Sequence, residues 1–253
     1  MQQSLFDLSG KVAVVTGANT GLGQGIAIAL ARAGADIAAV GRTTPDETSA
    51  AVRQAGARFL FVEAELESTA PIAHIVVTVE ENLGPIDILV NNAATNRRGD
   101  ALDISEADWD AVVDTNLKTA FFLSQAAARV MLDARRGGKI IQIASLRSFQ
   151  GGSRVAPYTA SKSGLLGLTR LLASEWAAHG INVNAIAPGY FETRNTEDLR
   201  NDPVRAKAIL ERIPAGRWGV PSDLAGAIVF LASAASDYVH GAVLPVDGGW
   251  LAR

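Results

Sequence analysis

A doubly wound α/β sheet of about seven parallel strands, with helices on both faces, is the architecture three features of the sequence predict. Short β-branched runs alternate with segments of helical period along the whole chain. The runs are apolar throughout rather than alternating, as strands covered on both faces must be. Parallel neighbours also need crossovers of a dozen or more residues, and right-handed crossovers set helices against the sheet. No Pro/Gly/Ser-rich linker interrupts the 253 residues, and no repeat appears beyond the strand–helix alternation. One domain spanning 1–253 is therefore expected.

In order, "KVAVVTG" predicts a first buried strand over 11–16, and the spacing over 22–33 predicts a helix stopped by Gly34. "ADIAAVG" then reads as a strand, "DETSAAVRQAG" as a helix closed by Gly56, and "RFLFVEA" as a strand. A helix near 69–83 leads to the strand "IDILVNN". Helical spacing runs from Ser105 through Met131, ahead of the strand "GGKIIQIAS" and a long helix after Pro157. Proline suits that helix's first turn, and Gly180 lies past its end. "INVNAIAPG", "PSDLAGAIVFLAS" and "AVLPVDGG" complete the series as strand, helix and strand. Between them, 190–217 is polar and weakly periodic. Ligands of doubly wound sheets bind beyond the carboxyl ends of the strands, so this excursion is a candidate substrate lid.

The composition narrows the function. A 48% hydrophobic and 19% charged chain can bury a large core, and a net charge of −3 offers no long-range attraction for nucleic acid or an anionic membrane. With no cysteine, disulfide and thiol chemistry are excluded. The N-terminal "MQQSLFDLSGK" lacks a signal-like apolar segment and no run approaches a membrane span, so a cytoplasmic location is expected. No metal is expected.

"TGANTGLG" joins the first strand to the first helix. Gly17, Gly21 and Gly23 allow a tight turn and close approach to a ligand, and the helix N-terminus favours a pyrophosphate. The spacing G-x3-G-x-G departs from the usual G-x-G-x-x-G dinucleotide fingerprint. Where an acid would hold the adenosine ribose of NAD, the second strand ends in Gly41-Arg42. Arg42 can pair with a 2′-phosphate, which favours NADP over NAD and leaves both open.

The helix after Pro157 opens with Tyr158 and Lys162, one turn apart on one face. An unperturbed phenol, with a pKa of about 10, is a poor base at neutral pH. A neighbouring ammonium is expected to lower it.

The Gly-rich turn, Asn91-Asn92-Ala93, Asn116, Ser145 and Y-x3-K at Tyr158 and Lys162 together resemble the short-chain dehydrogenase/reductase family over nearly the whole chain. The resemblance implies a Rossmann-like fold and an oxidoreductase that moves a hydride between nicotinamide and a keto or hydroxy group. It implies catalytic roles for Asn116, Ser145, Tyr158 and Lys162: Tyr158 as acid/base, Ser145 as hydrogen-bond donor to the substrate oxygen, Lys162 also holding the nicotinamide ribose, and Asn116 anchoring a water-linked proton path. Cofactor contacts are implied at Gly17, Asn19, Thr20, Gly21, Leu22, Gly23, Asn92 and Ala93, at Glu65 and Leu66 for adenine, and at Pro188, Gly189 and Thr193 near the carboxamide. Ala94 stands where the family usually has Gly, and Glu65 where Asp is commoner.

"SFQGGSRV", "RIPAGRWGVPSDL" and "ASDYVHGAVLPVDGGWLAR" carry a closer likeness to the family's sugar-acid dehydrogenases. That likeness implies a small anionic substrate such as 2-deoxy-D-gluconate or 2-dehydro-3-deoxy-D-gluconate. Such a substrate needs a cation and several hydrogen-bonding groups. Arg97, Arg98, Arg147 and Arg154 fall on suitable loops, with Gln150 and Tyr190 nearby; Arg147, Gln150, Arg154 and Tyr190 form the candidate substrate set. Arg147 and Arg42 depart from what is expected of NAD-linked sugar-acid enzymes. Competing readings are a 3-oxoacyl-carrier-protein reductase, a gluconate 5-dehydrogenase-like enzyme and, from another class, a non-catalytic dinucleotide sensor. The family resemblance also implies a homotetramer packed through helices matching 114–131 and 157–178.

Overall fold

The computed structural model describes residues 4–253. One seven-stranded, all-parallel sheet has the order β3-β2-β1-β4-β5-β6-β7. Its strands are β1 (Val12–Thr16), β2 (Asp36–Gly41), β3 (Phe59–Glu63), β4 (Ile88–Asn91), β5 (Gly138–Ile143), β6 (Ile181–Pro188) and β7 (Val243–Val246). Every residue of β1, β4 and β6 is buried, as continuous apolar runs require.

Successive strand residues face opposite layers. Ala13, Val15, Ile37 and Ala39 join the core beneath α1 (Gly21–Arg32), α2 (Asp46–Gln54) and α9 (Ala225–Ala232). Val12, Val14, Ala38 and Val40 join the opposite core, with α3 (Ile72–Asn82), α5 (Thr119–Asp133) and α6 (Ala156–Trp176). The expected doubly wound class is found, and element ends differ from the sequence reading by a few residues, the usual scatter at frayed termini.

Two regions are more structured than the sequence pattern suggests. The helical stretch that begins at its Ser105 cap runs as α4 (Glu106–Val113), a π turn over Asp114–Lys118, then α5. The expected irregular segment 190–217 contains α7 (Glu197–Asn201) and α8 (Pro203–Leu210). Asp202 caps α8 by accepting from the Val204 and Arg205 N–H groups, and Pro203 occupies its first turn. Leu199 is the one buried residue of α7 and α8 has none, so neither has the apolar face that periodicity detects.

The strand order reverses at β1, which has β2 on one side and β4 on the other. Crossovers leave in opposite directions there, so a crevice opens beyond the strand ends. Thr16 and Asn92 stitch its base. Thr16 Oγ1 accepts from the Asn92 and Ala93 N–H groups, each at 2.9 Å, and the Asn92 side chain donates to the Thr16 and Gly17 carbonyls.

Candidate active site

A cleft of about 540 Å³ opens at this crevice. Every residue expected to touch the cofactor lines it: Gly17, Asn19, Thr20, Gly21, Leu22 and Gly23 from the first turn, Arg42 after β2, Glu65 and Leu66 after β3, Asn92 and Ala93 after β4, Tyr158 and Lys162 from α6, and Pro188, Gly189 and Thr193 after β6. Ala94, at the position where glycine was anticipated, lines it too.

The first turn fits a dinucleotide. A Cβ at Gly23 would run into the Gly17 carbonyl and the Asn92 amide, so only glycine lets the helix start this close to the turn. The first turn of α1 has no acidic residue, and Thr20 makes no side-chain cap, which leaves its N–H groups for a phosphate. Asn19 is tied to the Thr43 hydroxyl at 3.0 Å and Thr48 to the Ala18 carbonyl at 2.8 Å, which fix the turn against the start of α2.

At the other end, β5 and α6 bring Ser145, Tyr158 and Lys162 together. Lys162 is 2% exposed, its ammonium donates to the Ile143 carbonyl at 2.6 Å, and it lies 5.9 Å from the Tyr158 ring centre. Burial lowers its pKa to about 8, so the charged form still predominates at neutral pH. Ser145 stands close enough to the Tyr158 hydroxyl to act on its proton as a hydrogen-bond partner.

The expected depression of the phenol by Lys162 is not the outcome. Burial raises the Tyr158 pKa above its usual value, against smaller lowering effects from the Ser145 hydrogen bond and the Arg147 charge. Taking a phenolate out of water outweighs those contacts, and the Lys162 proton is aimed at a backbone carbonyl. The phenol is therefore a proton donor at neutral pH.

Asn116 holds the loop that follows β4. It sits in the π turn, 1% exposed, and its side chain accepts from Thr95 N–H at 2.8 Å. Its two amide protons go to the Thr95 carbonyl at 2.9 Å and Ser161 Oγ at 3.2 Å. The side chain is fully engaged in holding the loop after β4 to α6, and it does not line the cleft.

The candidate substrate residues separate. Arg154 pairs with Asp100 and Arg97 with Asp108, both on the surface. Arg147 has no carboxylate partner among the described residues. Its guanidinium donates to the Gly151 carbonyl at 2.6 Å and to the Tyr190 hydroxyl at 3.2 Å, close enough to Tyr158 to act on its charge. A Cβ at Gly152 would meet that guanidinium at 2.8 Å, so the glycine makes room for it. Gln150 accepts from the Trp250 indole N–H at 2.9 Å, and Trp250 packs on Tyr190, whose other edge meets Trp218.

Sequence reasoning missed Trp218 and Trp250, together with Thr43, Thr95, Thr115, Arg194, Asn195 and Thr196 in the cleft wall. The last three depend on a turn closed by Thr196 Oγ1 donating to the Phe191 carbonyl at 2.6 Å. The "ET" of "PGYFET" was the one local signal for it.

A doubly wound sheet with a glycine-lined crevice and a Ser/Tyr/Lys group at its mouth defines a dinucleotide-dependent oxidoreductase. The family model described as "Enoyl-(Acyl carrier protein) reductase" matches residues 17–251. The chain belongs to the short-chain dehydrogenase/reductase family, whose members act on CH–OH groups with NAD(P). It is 59% identical over 250 residues to the 2-dehydro-3-deoxy-D-gluconate 5-dehydrogenase of Escherichia coli, covering 99% of both chains. A structure from Agrobacterium tumefaciens, assigned as a 2-deoxy-D-gluconate 3-dehydrogenase and solved with NADP bound, is 56% identical with a TM-score of 0.92 over 99% of this chain and 100% of that one. A gluconate 5-dehydrogenase from Burkholderia cenocepacia, in complex with NADP and tartrate, is 38% identical with a TM-score of 0.92 over 98% of each chain.

The buried lysine gives a pH test. Between about pH 8 and 10.5 the unfolded chain keeps the Lys162 proton and the folded chain has lost it. Through this group, stability therefore rises with pH across that window, and the cost of burying the charge is fully present below about pH 8. Urea unfolding of the free protein should show this rise, and Lys162→Met should remove it. A wild-type-minus-variant difference that stays constant with pH would contradict the assignment.

Proposed function

We propose that the protein is an NAD(P)-dependent oxidoreductase that interconverts a keto and a hydroxy group on a small sugar acid such as 2-dehydro-3-deoxy-D-gluconate. The observation that carries this is Arg147, an arginine without a carboxylate partner among the described residues, standing close to Tyr158 in the Ser145/Tyr158/Lys162 group. The relatives named as sugar-acid dehydrogenases over the full chain length support it. A carrier-protein reductase needs a basic landing surface, and a net charge of −3 does not favour one. A sensor would have no use for a phenol held against a serine and a buried ammonium.

In this reading the bound nicotinamide supplies or accepts the hydride. The N–H groups of the first turn hold the pyrophosphate, and Arg42 receives a 2′-phosphate when there is one. Lys162 and the residues after β6 fix the nicotinamide half. Ser145 donates to the reacting substrate oxygen. The Tyr158 hydroxyl gives its proton to that oxygen during reduction, which matches a phenol whose burial keeps it protonated. For oxidation the Tyr158 phenol must first have released its proton; its oxygen, as the phenolate that the Ser145 hydrogen bond and the Arg147 charge stabilise, then takes the proton of the substrate hydroxyl. Asn116 acts as a positioning residue for the loop over Thr95. Arg147 takes the substrate carboxylate as a fork, with Tyr190 and the Gly151 carbonyl holding it, and Tyr190 and Gln150 shape the hydroxyl-binding wall.

The chain works as one domain, with 190–217 as the lid that closes over the sugar acid. A cytoplasmic setting suits a reaction that draws on the nicotinamide pool. Among the described residues no helix is long and apolar enough to cross a membrane. A homotetramer is supported by apolar side chains left in solvent on the long helices, Phe122 and Leu132 on α5 and Leu171 on α6, and by Trp109 on the short α4.

Tyr158→Phe should bind cofactor as the wild type does while kcat falls by about 10²–10⁴; undiminished turnover would remove the mechanism. Arg147→Gln should raise KM for sugar acids by about 10- to 100-fold, the loss of a charge-assisted hydrogen bond, and spare a neutral analogue lacking the carboxylate. Equal effects on both substrates would reassign Arg147. Light scattering should return four times the 26.4 kDa chain mass, and a monomeric mass would refute the tetramer.

A further inference from the structure

Parallel pairing of β2 with β3 sets Gly41 opposite Glu63, and the Ala64 N–H donates to the Gly41 carbonyl at 2.9 Å. The residues that follow each strand, Arg42 and Glu65, are therefore brought to the same end of the cleft, and both line it. Glu65 occupies the position expected to contact adenine, yet its Oε2 lies 3.5 Å from Arg42 Nη1. Glu65, two residues past β3, thus reaches the arginine that follows the neighbouring strand. Among the described residues this is the one ion pair that joins two walls of the cofactor cleft, and it engages the cation suited to a 2′-phosphate.

On the reading of Arg42 as the 2′-phosphate receptor, we propose that Glu65 is a built-in competitor for Arg42 that sets the balance between NADP and NAD. A 2′-phosphate must take the guanidinium from Glu65 before it can use it. A ribose with a free 2′-hydroxyl leaves the pair intact and meets no uncompensated charge. Glu65 thus lowers the preference for NADP without touching the phosphate, and keeps NAD usable at a site that ends in arginine. Both side chains are more than half exposed, at 69% and 54%, so the effect is modest. An exposed pair of this kind shifts an equilibrium by up to about fivefold, and salt weakens it.

The test measures Kd for NADPH and for NADH by fluorescence titration of the wild type, Glu65→Gln, Arg42→Gln and the double variant, so that no substrate need be known. The readout is the ratio of the two affinities. If Glu65 also touches adenine, its removal weakens both cofactors alike, and that effect cancels in the ratio. Glu65→Gln should raise the preference for NADPH by about two- to fivefold at low salt. Arg42→Gln should lower it, and in the Arg42→Gln background the Glu65 substitution should change it by less than about twofold, since no cation remains to compete for. If Arg42→Gln leaves the ratio unchanged, the receptor reading itself fails. If Arg42→Gln lowers the ratio while Glu65→Gln does not raise it, competition is overturned. A full Glu65→Gln gain in the double variant also overturns it, since the carboxylate would then be repelling the phosphate directly.

Discussion

The 2.6 Å hydrogen bond from the Lys162 ammonium to the Ile143 carbonyl is the contact on which the arrangement of Ser145, Tyr158 and Lys162 depends. It ties the second turn of α6 to the carboxyl end of β5, two residues before Ser145. Once that distance is set, the helix rise and strand direction place Tyr158 against Ser145 with little remaining freedom. The tie holds a charge in a place where charge is costly. Burial pulls the lysine towards neutrality and pushes the phenol towards its protonated form, so the same desolvation acts on both members of the pair in opposite senses of charge. A proton donor and a cation are thereby kept a few ångströms apart at neutral pH without either neutralising the other.

Charge is distributed unevenly along the cleft that leads to this pair. The middle is held by backbone N–H groups and glycine, which fit a pyrophosphate by shape and dipole. Arg42 lines one end of the cleft, and Arg147 stands close to Tyr158 near the other. Arg147 is held by neutral partners, a carbonyl and a phenol, and keeps its full charge for an incoming anion. Arg42 faces Glu65 and is partly spoken for. Two cations of the same type thus differ in availability because of what stands opposite each, and only the fold determines that.

Most of the fold was legible in the sequence because a parallel sheet covered on both faces writes its strands as unbroken apolar runs. Helices α1, α3, α5 and α6 were legible because one face of each is buried, which imposes the 3.6 period. Helices α7 and α8 were not, since they carry almost no buried residue and rest on the Asp202 cap and Pro203. The glycine turn and the Tyr158/Lys162 pair were legible because their chemistry demands particular residues at local spacings. The engagement of Asn116 with Thr95 and Ser161 left no such trace, nor did the pairing of Arg154 with Asp100, because each partner comes from a distant segment.

By itself the sequence determined the doubly wound class, the glycine-rich first turn and the placing of Tyr158 and Lys162 on one helix face, all of which follow from periodicity or from neighbours within one turn. Only the tertiary structure decided the protonation bias of Tyr158, the neutral partners that hold Arg147, and the pairing of Arg42 with Glu65. Those properties are set by burial and by contacts between segments far apart in the chain. Desolvation and Coulomb energies depend on distance in space, and distance along the sequence does not report it.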